Sequence, residues 1–139
     1  MRKLTLTLAP IILLTFLFPS SAFGETMEDL VKREGLYYKK FTERPFTGKV
    51  TGRSQGWFRR SKKDGPWVKF GDNEQVQFKG NHKNGIRNGP WVGYWNNRQL
   101  WFKGTYKDGK EIGPWVVYNE DGTVWEEFTG TYKYGDKVK

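Results

Sequence analysis

One histidine and a scatter of carboxylates are all that this chain of 139 residues offers to catalysis, because it has no cysteine. Thiol nucleophiles, thiolate zinc sites, iron–sulfur clusters and disulfides are therefore excluded. A Ser–His–carboxylate set would have to use His82, yet His82 stands where the other copies of an internal repeat carry an aromatic ring. That position predicts a packed ring, and no second histidine is present to share a metal. A carboxylate pair for glycoside hydrolysis could only come from Glu120, Asp121, Glu126 and Glu127. Glu126 and Glu127 are adjacent, and on a strand they would point to opposite faces. The glycines recur at repeat spacing and open no helix, so no phosphate-cradling loop is indicated. The sequence thus implies no enzyme, no cofactor and no metal, with a glycan-acting hydrolase as the remote alternative.

The remaining chemistry is charge. The formal net charge is +9. Lys79, Lys83, Lys103, Lys107 and Lys133 occupy alternate positions of predicted strands, with Trp101 expected among them, and the loops add Lys62, Lys63, Arg87, Arg98 and Lys110. A basic ridge carrying a ring suits anionic partners such as lipid head groups, lipopolysaccharide, acidic polysaccharide or an acidic envelope protein. The competing reading is a solvated face whose lysines prevent edge-to-edge pairing. Nucleic acid would fit the charge, but the N-terminus points out of the cytosol.

That terminus begins Met1-Arg2-Lys3, continues with an apolar run from Leu4 to Phe18, and reaches small residues in Ser20-Ser21-Ala22-Phe23-Gly24. This is the three-part pattern of a secretory signal peptide, predicting cleavage after Gly24 and an exported protein, periplasmic or secreted. The run is short for a membrane span of roughly 20 residues, and no second apolar run follows, so no transmembrane segment is expected after cleavage. Removal of residues 1–24 leaves 115 residues and a formal charge of +7, without a single alanine and with only Leu30, Leu36 and Leu100 as leucines. Such a composition disfavours helix. The core must be aromatic, since each large ring can bury some 150–250 Å².

The elements that carry these residues repeat. Gly65-Pro66-Trp67-Val68, Gly89-Pro90-Trp91-Val92 and Gly113-Pro114-Trp115-Val116 recur every 24 residues. Each is followed by an aromatic residue (Phe70, Tyr94, Tyr118), a polar turn, and then Phe78-Lys79-Gly80, Phe102-Lys103-Gly104 or Phe128-Thr129-Gly130. The last copy is two residues longer around Glu126-Glu127, which predicts a bulge. Asn84-Gly85 and Asp108-Gly109 are type I′ hairpin dipeptides, and Pro66, Pro90 and Pro114 fit strand starts. Each repeat is therefore two strands, and residues 35–139 are predicted to form an all-β, elongated antiparallel hairpin meander. Residues 25–34 are predicted as a short helical cap, because Thr26-Met27-Glu28-Asp29 fits a capping box and Gly35 a stop.

Alternation assigns the faces. Leu100, Phe102, Gly104 and Tyr106 share one side, while Lys103, Thr105 and Lys107 share the other with Trp101. A glycine recurs on the apolar side between two rings. Such a glycine weakens a strand unless an aromatic ring covers it. Trp67, Trp91 and Trp115 are therefore expected to lie over bare backbone at Gly80, Gly104 and Gly130.

Gly89-Pro90-Trp91-Val92-Gly93-Tyr94 with Gly104-Thr105-Tyr106-Lys107-Asp108-Gly109 resembles the MORN repeat in its bacterial variant form. The resemblance spans about residues 35–135, and the segment from Gly35 to Gly48 is similar to exported bacterial proteins labelled YwqK-type antitoxins. It implies an elongated antiparallel β array and a role in protein contact, self-association or membrane attachment. Inhibition of a single protein partner, by strand addition at a free edge, is the alternative. Arg60-Ser61 in place of Asn-Gly, and Arg98 where the third copy has Gly122, predict less regular turns.

Overall fold

The computed structural model describes residues 24–139, so the predicted leader lies outside the described residues except for Gly24. Twelve strands follow. They are β1 (Glu25–Thr26), β2 (Leu30–Arg33), β3 (Leu36–Lys39), β4 (Gly48–Thr51), β5 (Ser54–Arg59), β6 (Lys62–Phe70), β7 (Val76–Lys83), β8 (Ile86–Tyr94), β9 (Leu100–Lys107), β10 (Lys110–Val117), β11 (Gly130–Lys133) and β12 (Asp136–Lys137). Ten of them form one sheet in the order β1-β4-β5-β6-β7-β8-β9-β10-β11-β12, and β2 and β3 pair separately. All neighbours from β4 onward are antiparallel, while β1 joins β4 in parallel. Sequence neighbours are thus sheet neighbours, as the meander requires. Ten strands at ~4.8 Å spacing make a ribbon roughly 43 Å long. Among the described residues no helix is long and apolar enough to cross a membrane.

The turns explain the order. Asn84-Gly85 and Asp108-Gly109 hold positive φ at both central positions, as expected for type I′, and so do Arg60-Ser61, Glu34-Gly35 and Tyr134-Gly135. The opposite edge of the sheet carries three longer turns with one hydrogen-bond pattern. The N–H groups of Gln75, Gln99 and Thr123 donate to the side-chain oxygens of Asn73, Asn97 and Asp121 two residues back, the Asx geometry. Glu74, Arg98 and Gly122 take the same left-handed position. The irregularity expected from Arg60-Ser61 and Arg98 is therefore absent. At Ser61 tertiary bonds hold the backbone where glycine would go, and at Arg98 the turn's own bond to Trp95 O does. Ser61 is fully buried, its N–H donates to Phe46 O at 2.9 Å, and its hydroxyl donates to Tyr37 O.

Two expectations are corrected at the ends of the array. Residues 25–34 are not a helix. Thr26 N donates to Asp29 Oδ2 at 2.8 Å, as a capping box predicts, and Thr26 Oγ1 donates to the same oxygen at 2.8 Å, but the segment closes a single 3₁₀ turn over Met27–Asp29. Leu30–Arg33 then pairs with Leu36–Lys39 around Glu34-Gly35. Gly35 is a hairpin residue, not a helix stop, and the predicted boundary at 34/35 falls inside this hairpin. The hairpin does cover one end, since Leu30 packs with Val50, Phe58 and Trp67, flanked by Tyr37 and Phe46. At the other end the longer third copy forms no bulged strand. Phe128 N and Thr129 N both donate to Trp125 O, closing a turn over 125–129, and Thr129 Oγ1 bonds both Val117 N and Val117 O.

Candidate functional site

The sheet has two working faces, and the tryptophans define the first. Trp67, Trp91 and Trp115 are buried, and each lies across the glycine of the preceding strand: Gly56, Gly80 and Gly104. A methyl group added at any of the three glycines would sit less than 3.0 Å from the indole. Trp115 thus covers Gly104, and Gly130 has no indole over it; its space is filled by Lys137 and the Lys139 carbonyl instead. A fourth ring, Phe102, covers Gly93.

Each indole also has a polar task. Trp67, Trp91 and Trp115 donate Nε1–H to the carbonyls of Trp57, Asn81 and Thr105 at 3.2, 3.0 and 3.2 Å. The residues paired with Asn81 and Thr105 across the preceding strand are Pro66 and Pro90. Proline has no N–H to give, so the indole from the following strand supplies the donor. At Trp91 and Trp115, glycine, proline and tryptophan are therefore one device, whereas the Trp57 carbonyl that accepts from Trp67 stands opposite Lys49.

The rings form a ladder along the ribbon. Phe58, Trp67, His82, Trp91, Tyr106, Trp115 and Tyr132 come from successive strands β5 to β11, with centroid separations of 4.9–6.1 Å and interplanar angles of 64–88°. Edge-to-face pairs of this kind add to the burial energy of the rings. His82 is one rung, as the sequence indicates. Its imidazole is pushed down to about 4, first by burial and then by the charges of Lys63 and Arg87.

The opposite face is an open trough of about 1120 Å³ running across β4 to β10. Its floor is a row that alternates from strand to strand: Val68 pairs with Lys79, Lys79 with Val92, Val92 with Lys103, and Lys103 with Val116. Pro66, Pro90 and Pro114 form a parallel row, and Trp57, 55% exposed, closes one end together with Lys49. Lysines two strands apart repeat every ~10 Å. Among the described residues no carboxylate lines the trough or the smaller cavity beside His82.

The predicted basic ridge is thus divided. Lys79 and Lys103 line the trough, whereas Lys83, Lys107 and Lys133 lie at strand ends beside the two-residue turns, outside it. Trp101 leaves the lysine side altogether. The register of β8 and β9 shifts at this point, so Trp101 is an unpaired bulge residue, and its ring packs on Phe78, Trp95 and Phe102 at 5.7, 4.8 and 5.2 Å. The Val and Pro rows were the missed signal. They recur every 24 residues beside each Trp, and alternation alone places them on the other face.

The carboxylates weighed for hydrolysis have local duties or face solvent. Asp121 accepts from Thr123 Oγ1 and Thr123 N, which hold its carboxyl below the usual range, and Glu126 and Glu127 are exposed. Among the described residues no three metal-ligating side chains cluster. No family model, curated protein or solved structure matches this chain.

Proposed function

We propose that this protein is an exported, non-catalytic binding module of the MORN-repeat type, which holds an extended acidic polysaccharide of the cell envelope in its trough. The observation that carries the reading is the Val68–Lys79–Val92–Lys103–Val116 row. It offers cations at regular spacing with apolar floor between them, which suits a chain of sugar rings whose acidic groups recur along its length. Charge brings such a polymer in and the floor retains it. The alternative, an inhibitor that adds a strand to one partner, has less to support it. The outermost strands, β1 and β12, are two residues long and offer a partner few backbone groups. The leader Met1–Gly24 supports export, and the protein recovered from the envelope fraction is expected to begin at Glu25.

The test is co-sedimentation or calorimetry of the full chain with polygalacturonate, with neutral dextran and with polyglutamate. Polygalacturonate is expected to bind at low salt and to weaken as salt screens the lysines. The Lys79→Gln/Lys103→Gln pair should weaken it at least about tenfold, and Val92→Asp similarly, since a tenfold loss corresponds to only about 1.4 kcal/mol. Lys133→Gln, outside the trough, should leave binding unchanged. Absence of binding at low salt, or an unaffected double variant, would overturn the reading. Preference for polyglutamate would transfer the trough to an acidic protein partner.

A further inference from the structure

Three cations on the ring face, Lys63, Lys69 and Arg87, form no ion pair among the described residues, and the Arg87 side chain bonds only the Tyr106 hydroxyl. In β9 and β10, Tyr106 pairs with Glu111 across the strands and accepts a hydrogen bond from Arg87 Nη1 at 3.0 Å, so it stands between opposite charges. One repeat earlier, His82 takes the place of Tyr106 and Lys63 the place of Arg87, while Arg87 takes the place of Glu111. His82 pairs with Arg87, and both flanking side chains are cations. Lys63 Nζ lies 4.3 Å from the Trp67 ring centroid and Arg87 Cζ lies 4.7 Å from that of Trp91. Lys69 Nζ stands 5.9 Å from the centroid of Phe78.

These side chains enclose a cavity of about 140 Å³ together with Ser54, Trp67, Trp91 and His82. Such a volume is several times that of one water molecule in the liquid. The four ion pairs among the described residues involve Arg33, Lys39, Arg53 and Arg59, and none involves Lys63, Lys69 or Arg87. The buried Nδ1 of His82 has no hydrogen-bond partner either. Burial, and then the neighbouring charges of Arg87, Lys32 and Lys69, hold the Lys63 ammonium below its ordinary range. Lys63 is half-buried and Lys69 and Arg87 are exposed at the rim, and among the described residues no carboxylate lines this cavity, so an added negative charge would offset the mutual repulsion of the three cations.

We infer that the cavity bounded by Lys63, Lys69, Arg87 and His82 is a binding site for a tetrahedral oxyanion, a phosphate or sulfate group. Arg87 presents the planar fork suited to such a group, Lys63 and Lys69 supply point charge, and the Ser54 hydroxyl can donate a further hydrogen bond. The buried rings of Trp67 and Trp91 back the site on the side of the half-buried Lys63, where its contact is strengthened most. This site faces away from the trough and does not depend on a polymer being bound there.

His82 is the chain's only histidine, so its imidazole resonances report on this cavity without overlap. The full chain is titrated with sodium sulfate, inorganic phosphate and glucose 6-phosphate against sodium chloride at constant ionic strength. The His82 signals are expected to move along a saturable curve with a midpoint below roughly 10 mM, and chloride should leave them in place. Arg87→Gln and Lys63→Met should each raise the midpoint at least about tenfold, the loss expected when a charge-assisted bond is removed. Lys63→Met keeps the apolar stem over Trp67, and Lys79→Gln on the far face should change nothing. Saturation by inorganic phosphate but not by the sugar ester assigns the site to a free ion, and saturation by both to the terminal group of a larger molecule. Movement no greater than that given by chloride, or a linear drift without saturation, would overturn the inference. So would an unchanged midpoint in either charge variant.

Discussion

A ring laid on a glycine stabilises a strand only if nothing else can occupy that space, and the contacts at Gly80 are that tight. In Gly80→Ala the new methyl group would meet Trp91 at less than 3.0 Å, and a ring flanked by His82 and Tyr106 has little room to retreat. The expected cost is about 2 kcal/mol, within the range for overpacking a filled core, read as a lower urea midpoint. Trp91→Phe tests the other half of the device. It keeps an aromatic ring but leaves the Asn81 carbonyl without the indole donor, opposite a proline that cannot replace it. A loss of about 1 kcal/mol is expected for a lost hydrogen bond at a part-buried acceptor, and denaturant unfolding measures it. His82 gives a prediction with a sign. Its folded pKa, about 4, lies below the ordinary 6.5. Between those values the unfolded chain binds the extra proton, so stability is full above pH 6.5 and falls as pH drops towards 4. Measured in chloride buffer, His82→Tyr should remove this part of the acid sensitivity. The difference between the two pH–stability curves isolates it from the carboxylates.

Element-scale behaviour follows from turns whose left-handed backbone is held by their own hydrogen bonds rather than by glycine. Arg98 holds φ 73°, and its N–H donates to Trp95 O at 3.0 Å; the third copy uses Gly122 for the same bond and the same conformation. Because the Arg98 side chain is exposed, Arg98→Gly should relieve left-handed strain without cutting a tertiary contact. A gain of about 0.5–1 kcal/mol is expected, net of the greater freedom of glycine in the unfolded chain, and thermal unfolding would detect it. This is also the scale at which the sequence was most and least informative. Asn84-Gly85 and Asp108-Gly109 announce their hairpins because few other dipeptides tolerate positive φ twice. Glu34-Gly35 makes the same turn, but it follows a capping box, and the nearby Thr26-to-Asp29 bonds close a 3₁₀ turn as readily as they start a helix. Strict alternation places Trp101 on the lysine side, and one bulge between β8 and β9 puts it on the other. Single-strand periodicity carries no information about register shifts between neighbours, which depend on both strands. The Val and Pro rows were visible as repeated letters, but only the pairing across β6 to β10 makes them one surface.

At the scale of the molecule, a sheet whose strands from β4 onward pair only with their chain neighbours has no closed core to make unfolding uniform. Stability in such an array is the sum of local units and the interfaces between them, so the weakest end opens first. The two ends differ. At the N-terminal end the β2–β3 hairpin seals Val50 and Phe58, both essentially inaccessible to solvent. At the C-terminal end no described element packs over the sheet in this way: β12 is two residues long, the 125–129 turn interrupts the pairing, and Trp125, Phe128, Tyr134 and Val138 are exposed among the described residues. Hydrogen exchange should therefore proceed from one side. Amides of Gly130–Lys137 are expected to exchange first and those of β7–β9 last, because the central strands are paired on both sides and carry the middle of the ring ladder. Uniform protection across the sheet would mean that the ladder couples all its rungs into one cooperative unit. A Val50→Ala variant separates the two outcomes. It should cost about 1–3 kcal/mol from the lost burial and the space left behind. In a nearest-neighbour array the loss appears as faster exchange in β4–β6, whereas a single cooperative unit spreads it to β11.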